Sequence, residues 1–394
     1  MPAPGDLRIQ HIHQVTAALF RRPGLSRTDL AAELALSKAT VTQITQALIE
    51  HGLLAEVDRP AGSGEAPRAG RPARALALTA DTPRVILIQL GVRRTRLTVA
   101  PLAPVRDDAI AWEIDAATPR SVAGFEKLLA KHADALCDRL PGGRPLAAAV
   151  SLPGMHRADI DRSLFSPNLR WTTGQSLGQL VGAAFGCPAQ AAQEIRVLAA
   201  GHHAAAGDDP FLLFDAGRGV GSAVVVDGRV YRSPLGCAGE IGHTPVPGGD
   251  RPCGCGQTGC LETLLSRPGL IGSHGRGDPD DRAAWPRLLA DLADAKSQPA
   301  WLIRTLDHAA DIVTASLNAF GLADLVCTGA LAELPEPARD RFADRVAAGC
   351  VAGRFSDARI AFAPRRRALG LLTLLATDPA TPFLPDLLAA PLRS

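Results

Sequence analysis

In the first fifty residues, apolar and polar side chains follow one another with the period of amphipathic helices. Over residues 9–20 apolar side chains recur every three or four positions, and two shorter periodic runs begin after Ser26 and Ser37. Serine is a preferred helix N-cap, and Gly52 after the last run is typical of a helix end. The spacing predicts three helices, of which the last two are joined by a tight turn as in a helix-turn-helix.

The start of the third predicted helix is rich in small polar and basic side chains. Such groups reach phosphates and base edges when a helix lies in the major groove. Two apolar runs, residues 53–57 and 74–78, flank a segment rich in Gly, Pro and Arg and predict the strands of a wing, whose arginines suit the minor groove. The expected DNA contacts are Ser37, Lys38, Thr40, Thr42, Gln43, Arg68, Arg71 and Arg74. The alternative is a three-helix module that binds protein, followed by a solvated arginine-rich linker.

Beyond Pro83 the pattern changes to short, continuous apolar runs that alternate with helical periodicity. Continuous apolar runs of this length predict buried strands. Strands are expected at residues 85–90, 96–100, 146–152, 211–215, 222–228 and 324–327, and helices at 122–136 and 300–320. The alternation indicates an α/β fold. Residues 273–296 fit no motif, and we expect them to form a partly helical insertion.

Composition and charge limit the class of protein. The 394 residues allow two or three domains, 46% of them are hydrophobic and 21% charged, and no apolar run reaches the ~18 residues of a membrane span. The N-terminus lacks the basic and apolar regions of a secretory signal. Eight cysteines fit a reducing compartment better than an exported disulfide framework. We therefore expect a cytoplasmic protein of ordinary globular composition.

Three cysteines and one histidine fall within eighteen glycine-rich residues. One imidazole nitrogen and three thiolates close a tetrahedral shell, which is the ligand set of a structural rather than a catalytic zinc site. The expected ligands are His243, Cys253, Cys255 and Cys260. Loop thiols, or a disulfide between two of the cysteines, are the alternatives. Glu240 and Glu262 flank the cluster outside the expected ligand set, so that a metal would hold two carboxylates rigidly beside it.

The same segment, Glu-Ile-Gly-His at 240–243 and Cys-Gly-Cys-Gly-Gln-Thr-Gly-Cys-Leu-Glu from residue 253, resembles the signature of the ROK family of bacterial sugar-responsive repressors and sugar kinases. The resemblance extends over roughly residues 83–375. It implies two actin-like lobes of the sugar-kinase type with a sugar in the cleft between them. The implied sugar contacts are Gly154, Asn168, Glu194, Glu240, His243 and Glu262. The expected domains are a winged helix-turn-helix (1–82), a first lobe (83–205), a second lobe with the zinc loop (206–375) and a C-terminal tail (376–394).

Two departures from the family pattern bear on catalysis. Kinases of the family open their first phosphate loop with Asp-x-Gly-Gly-Thr, whereas residues 89–93 read Gln-Leu-Gly-Val-Arg, so that Gln89 replaces the aspartate. Their catalytic aspartate lies in Asn-Asp-Ala-Asn, which aligns with Gln-Glu-Ile-Arg at 193–196 and places the longer Glu194 at the position of the base. The second glycine loop, at 217–221, is better retained. We therefore expect no kinase activity.

The sequence as a whole predicts a sugar-responsive transcriptional regulator, a repressor, with structural Zn²⁺ as cofactor and operator DNA and a sugar as partners. Because single winged helices bind weakly, we expect a homodimer or homotetramer. Sugar in the cleft would shift the winged helices relative to their half-sites and weaken DNA binding. The alternatives are an ATP-dependent sugar kinase with an appended DNA-binding domain and a regulator whose input is a docking protein.

Overall fold

A computed structural model of the protein describes residues 4–58, 74–105, 110, 113–295 and 297–378. Its helices are α1 (Pro4–Arg21), α2 (Arg27–Glu33), α3 (Lys38–Glu50), α4 (Val122–Cys137), α5 (Leu177–Phe185), α6 (Glu194–Ala206), α7 (Glu262–Leu265), α8 (Arg267–His274), α9 (Ala284–Ala293), α10 (Ala300–Phe320), α11 (Ala330–Glu333), α12 (Glu336–Gly349) and α13 (Arg367–Thr377). None of these described helices combines the length and the apolar character required to cross a membrane.

The strands follow the predicted runs closely and add several short ones. They are β1 (Leu54–Val57), β2 (Ala75–Leu78), β3 (Val85–Leu90), β4 (Arg94–Ala100), β5 (Glu113–Ala117), β6 (Ala147–Leu152), β7 (Met155–Arg157), β8 (Arg162–Phe165), β9 (Ala189–Gln193), β10 (Phe211–Ala216), β11 (Val220–Val226), β12 (Arg229–Val230), β13 (Leu325–Gly329) and β14 (Ile360–Phe362). The alternation of strands and helices confirms the α/β class.

The N-terminal segment forms the predicted helix-turn-helix. The Ser26 hydroxyl oxygen accepts a hydrogen bond from the Asp29 N–H at 3.2 Å, and the Asp29 carboxylate accepts from the Ser26 N–H at 2.9 Å. This reciprocal capping box begins α2. The Ser37 hydroxyl begins α3 by accepting from the Thr40 N–H at 3.0 Å. Two capped helices separated by the short segment 34–37 therefore have their start points defined by local sequence.

Strands β1 and β2 form the predicted antiparallel pair after α3. The segment between them carries the expected minor-groove arginines. Residues 59–73 lie outside the described part of the chain, and Arg68 and Arg71 are among them. Arg74, at the base of the wing, is described and forms an ion pair with Glu56 at 2.9 Å.

Two five-stranded sheets with matching order form the body. The first runs β5-β4-β3-β6-β9 and the second β12-β11-β10-β13-β14. In each, the central strand pairs antiparallel with the strand that follows it in the chain and parallel with a later one: β3 with β4 and β6, and β10 with β11 and β13. Strands β3 and β10 are almost entirely apolar because both of their faces are buried. The repeat is the two-lobed architecture that the resemblance implies.

Helix α13 packs on the first lobe although it follows the second lobe in the chain. Residues 368–376 are all buried, and the helix contacts α6, β3 and β6 of the first lobe and α1 of the N-terminal domain. The sequence predicts the segment up to residue 375 in the second lobe, whereas α13 packs on elements of the first; the domain bounds stay a prediction. Because the helix is apolar on all sides, no stripe in its sequence shows which core it enters. As a result one hydrophobic cluster extends from the helix-turn-helix through α13 into the first sheet.

The contact between α6 and α13 is unusually close at two glycines. A Cβ atom on Gly370 would lie 1.9 Å from the Val197 carbonyl oxygen, and one on Gly201 would lie 2.1 Å from the Arg366 carbonyl oxygen. Real Cβ atoms do not approach backbone oxygens this closely. Both positions therefore require glycine as long as α6 and α13 keep their present distance. At these two glycines the backbones of the two helices are therefore in close contact.

The insertion predicted at residues 273–296 is partly helical, as expected. It comprises the end of α8, a loop and α9, and Lys296 lies outside the described residues. Trp285 and Leu288 of α9 are buried in the core of the second lobe. The loop before α9 extends from the second lobe towards the β3–β4 turn of the first, where Arg93 contacts it.

Candidate functional site

A cavity of about 350 Å³ lies between the two lobes. Its volume falls in the range of small-molecule sites. The six residues to which the resemblance assigns sugar contacts all line it: Gly154, Asn168, Glu194, Glu240, His243 and Glu262. Chain elements far apart in sequence bring them together: Gly154 and Asn168 follow β6 and β8, Glu194 and Glu262 begin α6 and α7, and Glu240 and His243 begin and end the turn at 240–243. That these residues contact a sugar stays a prediction.

Gly154 shows how the backbone shapes this cavity. It has φ +94°, and a Cβ atom there would lie 2.4 Å from the Phe165 carbonyl oxygen. Glycine adopts positive φ without the steric penalty that other residues incur. The turn after β6 can therefore fold tightly against the end of β8, three residues before Asn168.

Two carboxylates face the cavity beside the cysteine cluster. Burial raises the pKa of Glu240 to about 7, with Glu262 adding to the rise and a 2.9 Å hydrogen bond from Gln193 Nε2 opposing it. Burial also raises the pKa of Glu262, whose Oε2 accepts from the Val220 N–H at 2.9 Å. Carboxylate oxygens accept hydrogen bonds from the hydroxyl groups of a polyol, and fixed carboxylates can select their positions.

The four predicted metal ligands meet in one cluster, with all their donor atoms within 4.8 Å of one another. His243 Nδ1 lies 3.5 Å from Cys253 Sγ, and the Sγ atoms of Cys255 and Cys260 are 3.8 Å apart. A tetrahedral zinc ion has bonds of about 2.3 Å to sulfur and about 2.0 Å to nitrogen. These bonds place a nitrogen and a sulfur ligand about 3.5 Å apart and two sulfur ligands about 3.8 Å apart. All three cysteines are free thiols, so the disulfide alternative does not hold. The cluster can hold a metal ion.

His243 connects this cluster to the cavity. Its Nδ1 atom faces the cysteines, while its Nε2 atom lies 3.6 Å from Glu240 Oε2 on the cavity side. The ring is therefore oriented so that one nitrogen can bind a metal and the other can face a ligand. Glu262 follows Cys260 by two residues and begins α7, so the cluster also fixes the second carboxylate.

Glu194 is held in an ion pair. Arg367 Nε donates to Glu194 Oε1 at 2.7 Å, and Arg367 Nη2 lies 2.6 Å from the same oxygen. This arrangement occupies the carboxylate that the resemblance places at the position of the kinase base. Arg367 is the first residue of α13, so the ion pair links the cavity to the helix that packs against the helix-turn-helix domain.

Several arginines of the cavity were not predicted from sequence. Arg365 donates to both carboxylate oxygens of Asp215, at 2.6 and 2.8 Å. Burial opposes ionisation of Asp215, but the facing guanidinium lowers its pKa overall. Arg93 and Arg218 line the cavity from opposite lobes. The run of three arginines at 365–367 is visible in the sequence and could have indicated part of this set. Nothing in the sequence around Arg93 and Arg218 shows that these side chains line a cavity.

In the helix-turn-helix, some of the predicted DNA contacts already form hydrogen bonds within α3, whereas others are exposed. Ser37 and Thr40 bond to each other at 2.8 Å, and the Thr42 hydroxyl donates to the Lys38 carbonyl at 2.7 Å. Their hydroxyls therefore already satisfy local backbone or capping contacts. Lys38 and Gln43 are exposed on α3. Their contacts with DNA stay predictions.

Two models of known families match separate parts of the chain. The model of the ROK family matches residues 105–348, and that of the IclR helix-turn-helix domain matches residues 19–58. The second match confirms a helix-turn-helix at the N-terminus. It ends at residue 58, directly before the undescribed part of the wing.

Two bacterial regulators are among the similar curated proteins. The xylose repressor of Caldicellulosiruptor bescii is 28% identical over 256 residues, covering 63% of this chain and 61% of that protein. The DNA-binding transcriptional dual regulator NagC of Escherichia coli is 30% identical over 254 residues, covering 62% and 60%. The chain thus spans about three fifths of the length of these curated relatives.

Solved structures show the same fold. A ROK family transcriptional regulator, a homologue of the E. coli MLC protein, matches with a TM-score of 0.76 at 18% identity, covering 97% of this chain and 99% of that one. A ROK family glucokinase from Streptomyces griseus in complex with glucose and AMPPNP matches with a TM-score of 0.59 at 18% identity, covering 75% and 98%. The family model matches more than half of the residues, and the chain therefore belongs to the ROK family.

Proposed function

We propose that this protein is a sugar-responsive transcriptional repressor that binds operator DNA as a homo-oligomer. One observation carries the proposal. The core of the helix-turn-helix is continuous with α13, and α13 begins at Arg367, the partner of Glu194 in the cavity. A ligand that changes the position of Glu194 would therefore act on the element that supports the DNA-binding helices. The names of the related xylose repressor and of NagC support this assignment.

The cysteine cluster is the proposed zinc site, with His243, Cys253, Cys255 and Cys260 as ligands. Zinc in a closed shell supplies rigidity and leaves no open position for water. Here it would fix the imidazole of His243 and the carboxylate of Glu262 at the edge of the cavity. Glu240 and Glu262 then accept hydrogen bonds from sugar hydroxyls, and Asn168 can donate and accept at the same ligand.

We assign no kinase activity to the protein. Gln89 replaces the aspartate of the first phosphate loop, and Glu194 is engaged by Arg367. A general base must reach the hydroxyl proton, and a carboxylate bound by a guanidinium is poorly placed to accept one. Turnover of ATP with any sugar by the purified protein would contradict this assignment.

The decisive experiment is fluorescence anisotropy of the full-length protein on DNA from upstream of its own gene, at one stated salt concentration. We expect binding that outcompetes random DNA and weakens when pooled sugars are added. Specific binding that no sugar alters would point to a docking protein as the input instead. No specific binding would refute the repressor assignment at this DNA.

Two substitutions on α3 should separate base contacts from phosphate contacts. We expect Gln43→Ala to cost about 1–3 kcal/mol on the operator and to relax its specificity, because an amide reads base edges bidentately. Lys38→Ala should weaken binding to all DNA sequences. It should also reduce the magnitude of the slope of log binding constant against log salt concentration by about one. Lys131→Ala on α4 of the first lobe makes the same charge change on an exposed site. Equal DNA affinity and equal salt dependence of the Lys38→Ala and Lys131→Ala variants would exclude Lys38 as a DNA contact.

The Glu194–Arg367 ion pair should carry the coupling between sugar and DNA. Allosteric coupling is commonly about 5–150-fold in affinity. In Arg367→Gln we expect sugar, at saturation, to change the DNA dissociation constant by less than about twofold, while DNA binding without sugar is retained. Arg366→Gln removes the same charge one residue earlier and should keep the wild-type response. A full sugar response in Arg367→Gln would show that the signal takes another route.

A further inference from the structure

A groove of about 230 Å³ lies between the first and the third helix of the helix-turn-helix domain. Its walls are formed by Leu7, Arg8 and His11 of α1 and by Thr40, Gln43, Ile44 and Ala47 of α3. Because residues three and four apart lie on the same side of a helix, one face of α3 borders the groove over two turns. Thr40 and Gln43, two of the predicted DNA contacts, therefore share this groove with side chains of α1.

Arg8 differs from other arginines of this domain because it has no acidic partner. Arg27 and Arg74 both form ion pairs with Glu56, at 2.8 and 2.9 Å. Arg8 is exposed, and within the described part of the chain it forms neither an ion pair nor a hydrogen bond. Its guanidinium group is therefore available to an anion from outside the chain.

The walls of the groove favour an anion as its occupant. None of the seven residues that line it is acidic, and His11 beside Arg8 has a ring N–H that can donate in either protonation state. The acid of α3 is its last residue, Glu50, whose carboxylate already accepts from Gln46 Nε2 at 3.0 Å. Lys38, the first residue of α3, is exposed and adds a second positive charge to this domain. An anion in the groove would therefore meet basic groups and no lining carboxylate.

The position of Gln43 indicates which anion reaches this groove. A helix that lies in the major groove of DNA has a sugar–phosphate strand along each of its sides. If Gln43 contacts a base edge, the wall of the groove that α1 forms lies beside one of these strands. A guanidinium group can bind two phosphate oxygens at once through parallel N–H donors. The charge and the place of Arg8 therefore both match a backbone phosphate.

We propose that Arg8 of α1 binds a backbone phosphate of the DNA, next to the base pair that Gln43 of α3 contacts. The inference rests on the proposed function and adds to it a DNA contact outside α2, α3 and the wing. A phosphate contact carries no sequence information, but it fixes the register of the reading helix on the duplex. Arg8 should therefore strengthen binding to the operator and to random DNA by a similar factor.

The test replaces one phosphate at a time in a DNA duplex by a neutral methylphosphonate and measures binding of the full-length protein by fluorescence anisotropy. Arg8→Gln should bind unmodified operator and random DNA about tenfold more weakly than the wild type, because a charge-assisted hydrogen bond is lost. The slope of log binding constant against log salt concentration should decrease in magnitude by about one. At one phosphate the wild type should lose affinity on methylphosphonate substitution, whereas Arg8→Gln should not respond to the same substitution.

Two further variants keep the test specific to this contact. Arg8→Lys retains the charge and should recover most of the affinity, and Arg304→Gln, on an exposed position of α10 in the second lobe, should match the wild type. Wild-type affinity in Arg8→Gln, an equal loss in Arg304→Gln, or an unchanged response of Arg8→Gln to every methylphosphonate would overturn the proposal. Random DNA distinguishes this failure from failure of the repressor assignment. A wild type without preference for the operator would refute the assignment, while the effect of Arg8→Gln on random DNA would still be measured.

Discussion

Gly370→Ala is expected to destabilise the protein by about 2–4 kcal/mol, because overpacking against backbone cannot be relieved by a change of rotamer. The new methyl group would lie 1.9 Å from the Val197 carbonyl oxygen and 2.9 Å from a Val197 side-chain carbon. Helix α13 would have to move away from α6. Since α13 also packs on α1, DNA affinity should fall together with stability.

Gly272→Ala provides the matched control for this substitution. Gly272 lies inside α8 and is exposed, and a Cβ there would come no closer than 4.0 Å to the end of the Arg251 side chain. Alanine should therefore be neutral or stabilise by up to about 1 kcal/mol through helix propensity. Thermal unfolding of both variants by circular dichroism makes the comparison. Equal unfolding midpoints would show that α6 and α13 do not require their close contact.

The elements predicted correctly from sequence are those that local chemistry determines. The serine caps at Ser26 and Ser37 and the alternation of buried strands with helices depend on neighbours within a few residues. The wing strands are two short apolar runs that pair with each other, Leu54 with Leu78 and Val57 with Ala75. The cysteine cluster, which can hold a metal ion, belongs to the same class, since its four candidate ligands fall within eighteen residues of glycine-rich chain. Short-range patterns of this kind can be read without knowledge of tertiary contacts.

The features that could not be predicted depend on distant contacts. Helix α13 is apolar on every face, so that its sequence fits either lobe equally well. Asp215 and Arg365 are 150 residues apart in the chain, and Arg218 and Asp280 are 62 apart. Each residue alone resembles an ordinary surface charge. Only the folded arrangement shows that these charges meet in one cavity and that α13 links this cavity to the helix-turn-helix domain.

Cys260→Ser should abolish stoichiometric metal binding and strongly weaken binding of the sugar. Cys260 is fully buried, and its Sγ atom lies 3.8 Å from that of Cys255. Mutations of groups that merely support metal ligands already cost about 10–100-fold in affinity, so loss of a ligand should cost at least that much. Without the metal, Glu262, two residues further on, and His243 would lose their fixed positions. Each charged hydrogen bond is worth about 1.5–3 kcal/mol, so we expect sugar affinity to fall about tenfold or more.

Cys137→Ser, which removes a half-buried thiol at the end of α4 in the first lobe, is the control for this prediction. Metal content by inductively coupled plasma mass spectrometry and sugar affinity by calorimetry should both match the wild type in the control. DNA binding without sugar should persist in Cys260→Ser, because the helix-turn-helix packs on α13 and the first lobe rather than on the segment that carries the cysteine cluster. Loss of metal with unchanged sugar affinity would show that the cluster stabilises the second lobe without shaping the cavity. Retention of one zinc per chain in Cys260→Ser would refute the assignment of Cys260 as a ligand.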